Sequence, residues 1–169
     1  MKKVIGVGFV LVAVVALSAF GNVFRENVLV RFNDAIGADP ISNVTVNGTT
    51  TTVTPNIVRG VNPPGQIWRI ADLNATAFTD GHIHIHGRGV LLGGGNNIGS
   101  NANQSVFATL FCSGTSSSTT QTGVALDPDG DFTIDDQLSP MPPATCDSPA
   151  LLIRSAGGSH PWFAAGIEN

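Results

Sequence analysis

The segment TDGHIHIHGRG, residues 79–89, sets histidines at positions 82, 84 and 86 and an arginine at 88. In an extended chain alternate side chains share a face, so His82, His84, His86 and Arg88 line one side while Ile83 and Ile85 line the other. Neighbouring same-face positions lie about 6.5–7 Å apart. Two imidazoles at that spacing can converge on one zinc or copper ion, with bonds of about 2.0–2.1 Å. Three in a row cannot, because the outer pair is twice as far apart. A metal site therefore needs a further ligand from elsewhere, and His160, Asp80 and Asp72 are the candidates. Proton sensing is another reading, in which three imidazoles charge together in acid, repel one another and loosen a sheet edge. The plainest reading is a solvent-facing strand whose polar positions are histidine. Arg88 favours it, since a fixed cation on the same face disfavours a bound divalent metal.

Other chemistry is thinner. DPDGDFTIDD (127–136) offers Asp127, Asp129 and Asp131 as calcium ligands, but its glycine falls too early for an EF-hand loop and the closing glutamate is missing. A β-turn flanked by solvated carboxylates is the better expectation. Ser159 precedes His160, yet adjacency does not aim a hydroxyl at a ring, and no G-x-S-x-G elbow occurs. Trp68 and Trp162 each sit within an apolar strand pattern, which points to core packing rather than to stacking on a flat ligand. GHIHIHG resembles the copper-ligand strand of copper–zinc superoxide dismutases, but that family needs more than the 4 histidines of this chain. It also resembles the first cupin motif, which places a glutamate shortly after H-x-H. The glutamates here are Glu26 and Glu168.

Strands must position these residues. Apolar positions alternate or come in short runs, and Gly, Pro, Asn and Asp punctuate them about every ten residues, the pattern of an all-β domain. The expected strands cover residues 27–32, 43–46, 50–54, 67–78, 82–92, 105–112, 123–126, 132–135, 150–154 and 162–166. They predict a single immunoglobulin-like β-sandwich of about 8–10 strands. TDG (79–81) and DPDGD (127–131) read as turns. GGGNNIGSNANQ (93–104) reads as a long loop rich in residues that accept positive φ, and SGTSSSTTQTG (113–123) as a mobile polar loop.

The N-terminus has Lys2 and Lys3, then an apolar run over residues 4–17, then small residues at Ala16, Ser18, Ala19 and Gly21. That is the layout of a secretory signal peptide over residues 1–21. The run falls short of the ~20 apolar residues of a spanning helix, so no stable membrane anchor is expected after cleavage. Residues 22–169 then form the exported domain, secreted or periplasmic. Both lysines lie in the leader, leaving six arginines against 12 Asp and Glu, a net charge near −6. Such a surface repels nucleic acid and anionic lipid, and it has no amine side chain for Schiff-base chemistry. Cys112 and Cys146 form a disulfide by default in an oxidising compartment.

LVRF…IG (29–37), IVRGVNPPGQIWRI (57–70), LLGGGNNIGSNANQSVFATLFC (91–112), GDFTIDDQLSPMPP (130–143) and LLIRSAGGSHPWFAAGI (151–167) together resemble a family of small exported bacterial β-domain proteins with no assigned activity. The resemblance implies a secreted β-domain with one disulfide. It supplies no catalytic or binding residue. The functional expectation is an exported, non-enzymatic binding or structural domain without a cofactor, whose partner is an extracellular protein or small ligand. A zinc or copper protein built on His82, His84 and His86, or a pH-responsive surface domain, are the alternatives. A binding domain predicts a contiguous apolar or aromatic patch near the 93–104 loop.

Overall fold

The computed structural model describes residues 27–169, and the expected signal peptide, residues 1–21, lies outside them. The described residues hold strands and no helix. In chain order the strands are β1 (Val28–Gly37), β2 (Ile41–Asn47), β3 (Thr50–Pro55), β4 (Trp68–Arg69), β5 (Asp72–Phe78), β6 (His82–Arg88) and β7 (Leu91–Leu92). They continue with β8 (Ser105–Cys112), β9 (Thr115–Ser118), β10 (Val124–Ala125), β11 (Phe132–Gln137), β12 (Ala150–Ser155) and β13 (Trp162–Glu168). Nine of them form one antiparallel sheet in the order β10–β8–β12–β13–β1–β5–β6–β11, and β9 pairs with β8 on the side that β10 also occupies. The two ends of this sheet meet where Ser118 and Ser139 exchange backbone hydrogen bonds of 2.9 and 2.8 Å. The sheet thus curls around its own apolar face.

Alternation decides what fills the interior. Ile83 and Ile85 of β6, Leu73, Ala75 and Ala77 of β5, and Phe132 and Ile134 of β11 all point inward and are buried. Phe32 of β1 and Leu110 of β8 join them, with Leu151 and Ile153 of β12. Gly87 continues the inward row of β6 because it must: a Cβ there would stand 2.1 Å from the Phe132 ring. The intervening positions of β6 and β11 are polar, as expected of strands with one face in water, whereas β8 and β12 bury apolar side chains on both faces, Phe107 and Leu152 among them.

Three local expectations need correction. The expected strand 82–92 breaks at Gly89, whose φ of 69° turns the chain so that the Val90 N–H bonds to Gly130 O. Its partner, expected over 67–78, breaks opposite it, and the detached pieces β4 and β7 pair with each other, Trp68 opposite Leu92. The segment 113–123 is not simply a mobile loop. It carries β9, with Ser117 and Thr119 buried and the Thr119 hydroxyl accepting the Ala108 N–H at 3.0 Å. Short hydroxyl side chains satisfy their own polarity against the neighbouring backbone, so a Ser/Thr run can be packed.

The disulfide Cys112–Cys146 joins the end of β8 to the β11–β12 connection, with Cα atoms 4.7 Å apart. Beside it Ser113 donates both its N–H and its hydroxyl to Asp147 O, each at 3.0 Å. Strands β2 and β3 stand apart. They pair only with each other around a Gly48–Thr49 turn, and every residue of both is exposed.

Candidate functional site

The histidine strand has the facing that alternation requires. His84 and His86 are exposed and His82 is half-buried, while Ile83 and Ile85 are fully buried. What the sequence could not show is the neighbour on each side. On β11, Asp135 stands opposite His84 and Thr133 opposite His86; on β5, Thr76 and Asn74 take the same places. Asp135 is shared between two rings: its Oδ1 lies 2.5 Å from His82 Nε2 and its Oδ2 3.9 Å from His84 Nδ1. The His86 ring lies 3.3 Å from the Thr133 hydroxyl.

His84 and His86 border a polar hollow of about 300 Å³, with Arg31 and Asn33 of β1 and Asn74 and Thr76 of β5. None of the candidate third metal ligands reaches it. Asp80 accepts the His82 N–H at 2.9 Å, Asp72 accepts the Asn74 amide at 3.1 Å, and His160 packs edge-on against Phe107 with Nδ1 3.0 Å from Ser155 O. Among the described residues no three His, Cys, Asp or Glu side chains are grouped to hold one ion.

The aspartates 127–131 are occupied in shaping a turn. Asp127 Oδ1 accepts the N–H groups of Asp129 and Asp131 at 2.9 and 2.8 Å, and Asp131 Oδ1 accepts the Gly89 N–H at 2.9 Å. The Asp127 contacts are an Asx-type cap, in which a short carboxylate satisfies backbone donors that the turn leaves open, and the Asp131 contact ties that turn to β6. Ser159 is exposed while the His160 ring is turned to Phe107, so the pair forms no dyad.

One carboxylate does structural work across the closing seam. Asp136 accepts the Thr120 N–H at 2.8 Å and the Gln137 N–H at 2.7 Å. Partial burial pushes its pKa up, but those two N–H groups and the Thr120 hydroxyl outweigh it and hold the carboxyl below its usual 3.8. A depressed folded-state pKa adds stability that is present above the unfolded value and is lost as pH falls through the folded one. Asp136→Asn is therefore expected to be less stable than the parent at neutral pH and to converge on it below pH ~3.8. Urea unfolding at several pH values measures this, and two curves separated by a constant amount would contradict it.

A second concavity opens beside the two-stranded sheet β4–β7, where β4 lies against β13 and β1. Trp68 and Phe163 stack there with ring centroids 3.9 Å apart, and Leu92 is buried beside them. Trp68 is core, as its strand pattern predicts, and Trp162 is too: it is buried, with Nε1–H bonded to Asn56 O at 3.0 Å. The edges of Trp68 and Phe163 nevertheless border a cleft of about 290 Å³. Its rim comes from Pro64, Gln66 and Pro161, and from Ala102 and Gln104 at the end of the 93–104 loop. The Ser155 hydroxyl donates to Gln104 Oε1 at 2.9 Å, and the Gln104 amide donates to Ala102 O at 3.3 Å, so this rim is held in place. No charged residue lines it. Loop composition pointed to this end of the molecule. Gln66, Gln104, Ser155 and Phe163 carry no local signal and are brought together only by the fold.

No family model, curated protein or solved structure matches the chain.

Proposed function

We propose that this chain is an exported, non-enzymatic binding domain whose ligand is a small neutral molecule with a flat apolar part. The observation that carries this reading is the cleft over Trp68 and Phe163: an apolar floor, an uncharged amide and hydroxyl rim, and about 290 Å³ of space. Ligand pockets combine a mostly apolar lining with a few placed polar groups, and this volume lies near the small end of their usual range of about 300–1,000 Å³. A neutral rim leaves a charged ligand without a counter-ion. The leader-like N-terminus, the disulfide and the likeness to small exported bacterial domains support a secreted or periplasmic location. Among the described residues no helix is long and apolar enough to cross a membrane. An immunoglobulin-like chain path belongs to the same proposal. Strand number and antiparallel pairing support it, whereas the continuous sheet and the Ser118–Ser139 bridge support a barrel-type closure.

The test is a titration with uncharged aromatic and cyclic-amide fragments, followed by tryptophan fluorescence, on the parent and on Gly65→Phe. Gly65 lines the cleft and a Cβ there meets nothing within 4 Å, so a large side chain at this position is expected to narrow the cleft while the backbone keeps its path. A saturable change that weakens about tenfold or more in the variant is expected. Equal binding by both proteins would refute the cleft.

Zinc or copper binding stands as the second reading, because His84 and His86 border one hollow. Less than a tenth of an equivalent of metal is expected in untagged protein purified without chelator, in the parent and in His84→Ala alike. Stability should differ by about 0.5 kcal/mol or less, as for other exposed positions. One equivalent in the parent, lost in the variant, would reverse the order of the two readings.

A further inference from the structure

The outer face of β1, β5 and β6 carries two rows of polar side chains. Arg31 stands opposite Thr76 and Thr76 opposite His84; in the next row Asn33 stands opposite Asn74 and Asn74 opposite His86. Neighbouring strands lie about 4.8 Å apart, so the long Arg31 side chain spans β5 toward the histidines. Both rows border the polar hollow of about 300 Å³, and no Asp or Glu lines it. Arg31 sets this hollow apart. Among the described residues the other four arginines are engaged: Arg69 with Asp39, Arg88 with Asp131, Arg59 with Ser148 O, and Arg154 with His160 O and the Phe107 ring. The Arg31 guanidinium has no carboxylate or carbonyl partner among those residues. The carboxylates of the adjoining strands are turned elsewhere, Asp135 to His82 and His84 and Asp72 to the Asn74 amide.

We propose that this hollow binds a small tetrahedral oxyanion, a phosphate or sulfate group that is free or carried as the monoester of a short polyol, with Arg31 as its anchor. A guanidinium presents a planar fork of N–H donors that matches two oxygens of such a group. His84 and His86 face it across β5. Their Nδ1 atoms are turned to Asp135 and to the Thr133 hydroxyl, which leaves Nε2 of each ring for a ligand. An imidazole that takes up a proton in mild acid donates from both nitrogens and adds a positive charge. Asn33, Asn74 and Thr76 are neutral and can pair with the hydroxyls of an ester, for which the hollow has room beyond a single oxyanion. Charge limits the size of the ligand. Carboxylates outnumber Lys and Arg over the whole chain, so an extended polyanion is repelled along its length while one oxyanion meets the local cation. The same fixed cation favours an anion here over zinc or copper. Arg31, His84 and His86 are exposed, so solvent and salt weaken the contact and binding falls in the millimolar range. The site is independent of the cleft.

Titration of the ¹⁵N-labelled exported protein with sodium sulfate, inorganic phosphate, glycerol phosphate and glycerol tests it, at a pH of about 6 and a low, constant ionic strength. Saturable amide and side-chain shifts are expected at Arg31, Asn33, Thr76 and His84 with the three anions and none with glycerol. Arg31→Gln should weaken binding at least about tenfold and His84→Gln/His86→Gln about threefold or more. Arg88→Gln, on the same strand face but outside the hollow, should match the parent. All the variants replace exposed side chains and should melt like the parent. Tighter binding of glycerol phosphate than of inorganic phosphate assigns the hollow to an ester, and equal binding assigns it to the free ion. The absence of any saturable shift overturns the proposal. Shifts spread over all the arginines, or a response that Arg31→Gln leaves unchanged, overturn it as well, because the anions then act only as counter-ions.

Discussion

Replacing Cys112 and Cys146 by alanine is expected to lower the free energy of unfolding by about 4 kcal/mol. The bond joins residues 34 apart in sequence, and its chief effect in the chain-entropy account is to restrict the unfolded chain. Native contacts are lost as well. The Cys146 connection is held against the end of β8 by the bond itself and by the Ser113–Asp147 hydrogen bonds beside it. The end of β8 next to β9 should loosen first, so amide exchange at Phe111 and Thr115 should quicken more than at Ile85. Urea unfolding of the double variant against the parent measures the main effect. A loss below about 1 kcal/mol would mean that the connection is fixed by other contacts.

Phe32→Ala should cost a similar amount, about 3–5 kcal/mol, by a different route. Phe32 is fully buried on β1, between β13 and β5. It packs under Gly166, where even a Cβ would come within 3.2 Å of its ring. Removing the ring leaves a cavity in a closed sheet that cannot collapse without breaking pairing on both sides. The unfolding midpoint in urea should fall while the slope stays unchanged, since the surface exposed on unfolding is nearly the same. A loss near that of an exposed position would show that Phe32 does not anchor the core.

Much of this fold was legible in the sequence. Every expected strand window overlaps an observed strand, and the facing of the histidine strand followed from period two alone. Strand breaks were not legible, because Gly89 reads as one more strand residue until Asp131 and Gly130 are placed beside it. The Ser/Thr segment was misread for a similar reason: composition reports polarity, whereas the backbone of β8 is what satisfies those hydroxyls. Sites depended on register. Asp135 meets His82 and His84 from a strand about fifty residues downstream, and no local pattern announces it. The cleft is harder still, since its floor joins Trp68 to Phe163 across most of the described chain. The valines of β2 and β3 were visible as strand residues. Their lack of any covering element was not.

The cleft reading is tested most directly by where a bound fragment lands. Uniformly ¹⁵N-labelled protein, titrated with the best fragment, should show saturable shifts at the Trp68 indole N–H, the Gln66 and Gln104 side-chain amides and the Ser155 backbone. His84, His86 and Asn74 should stay unmoved. Shifts centred on those three residues, or no saturable shift with any fragment, would contradict the account.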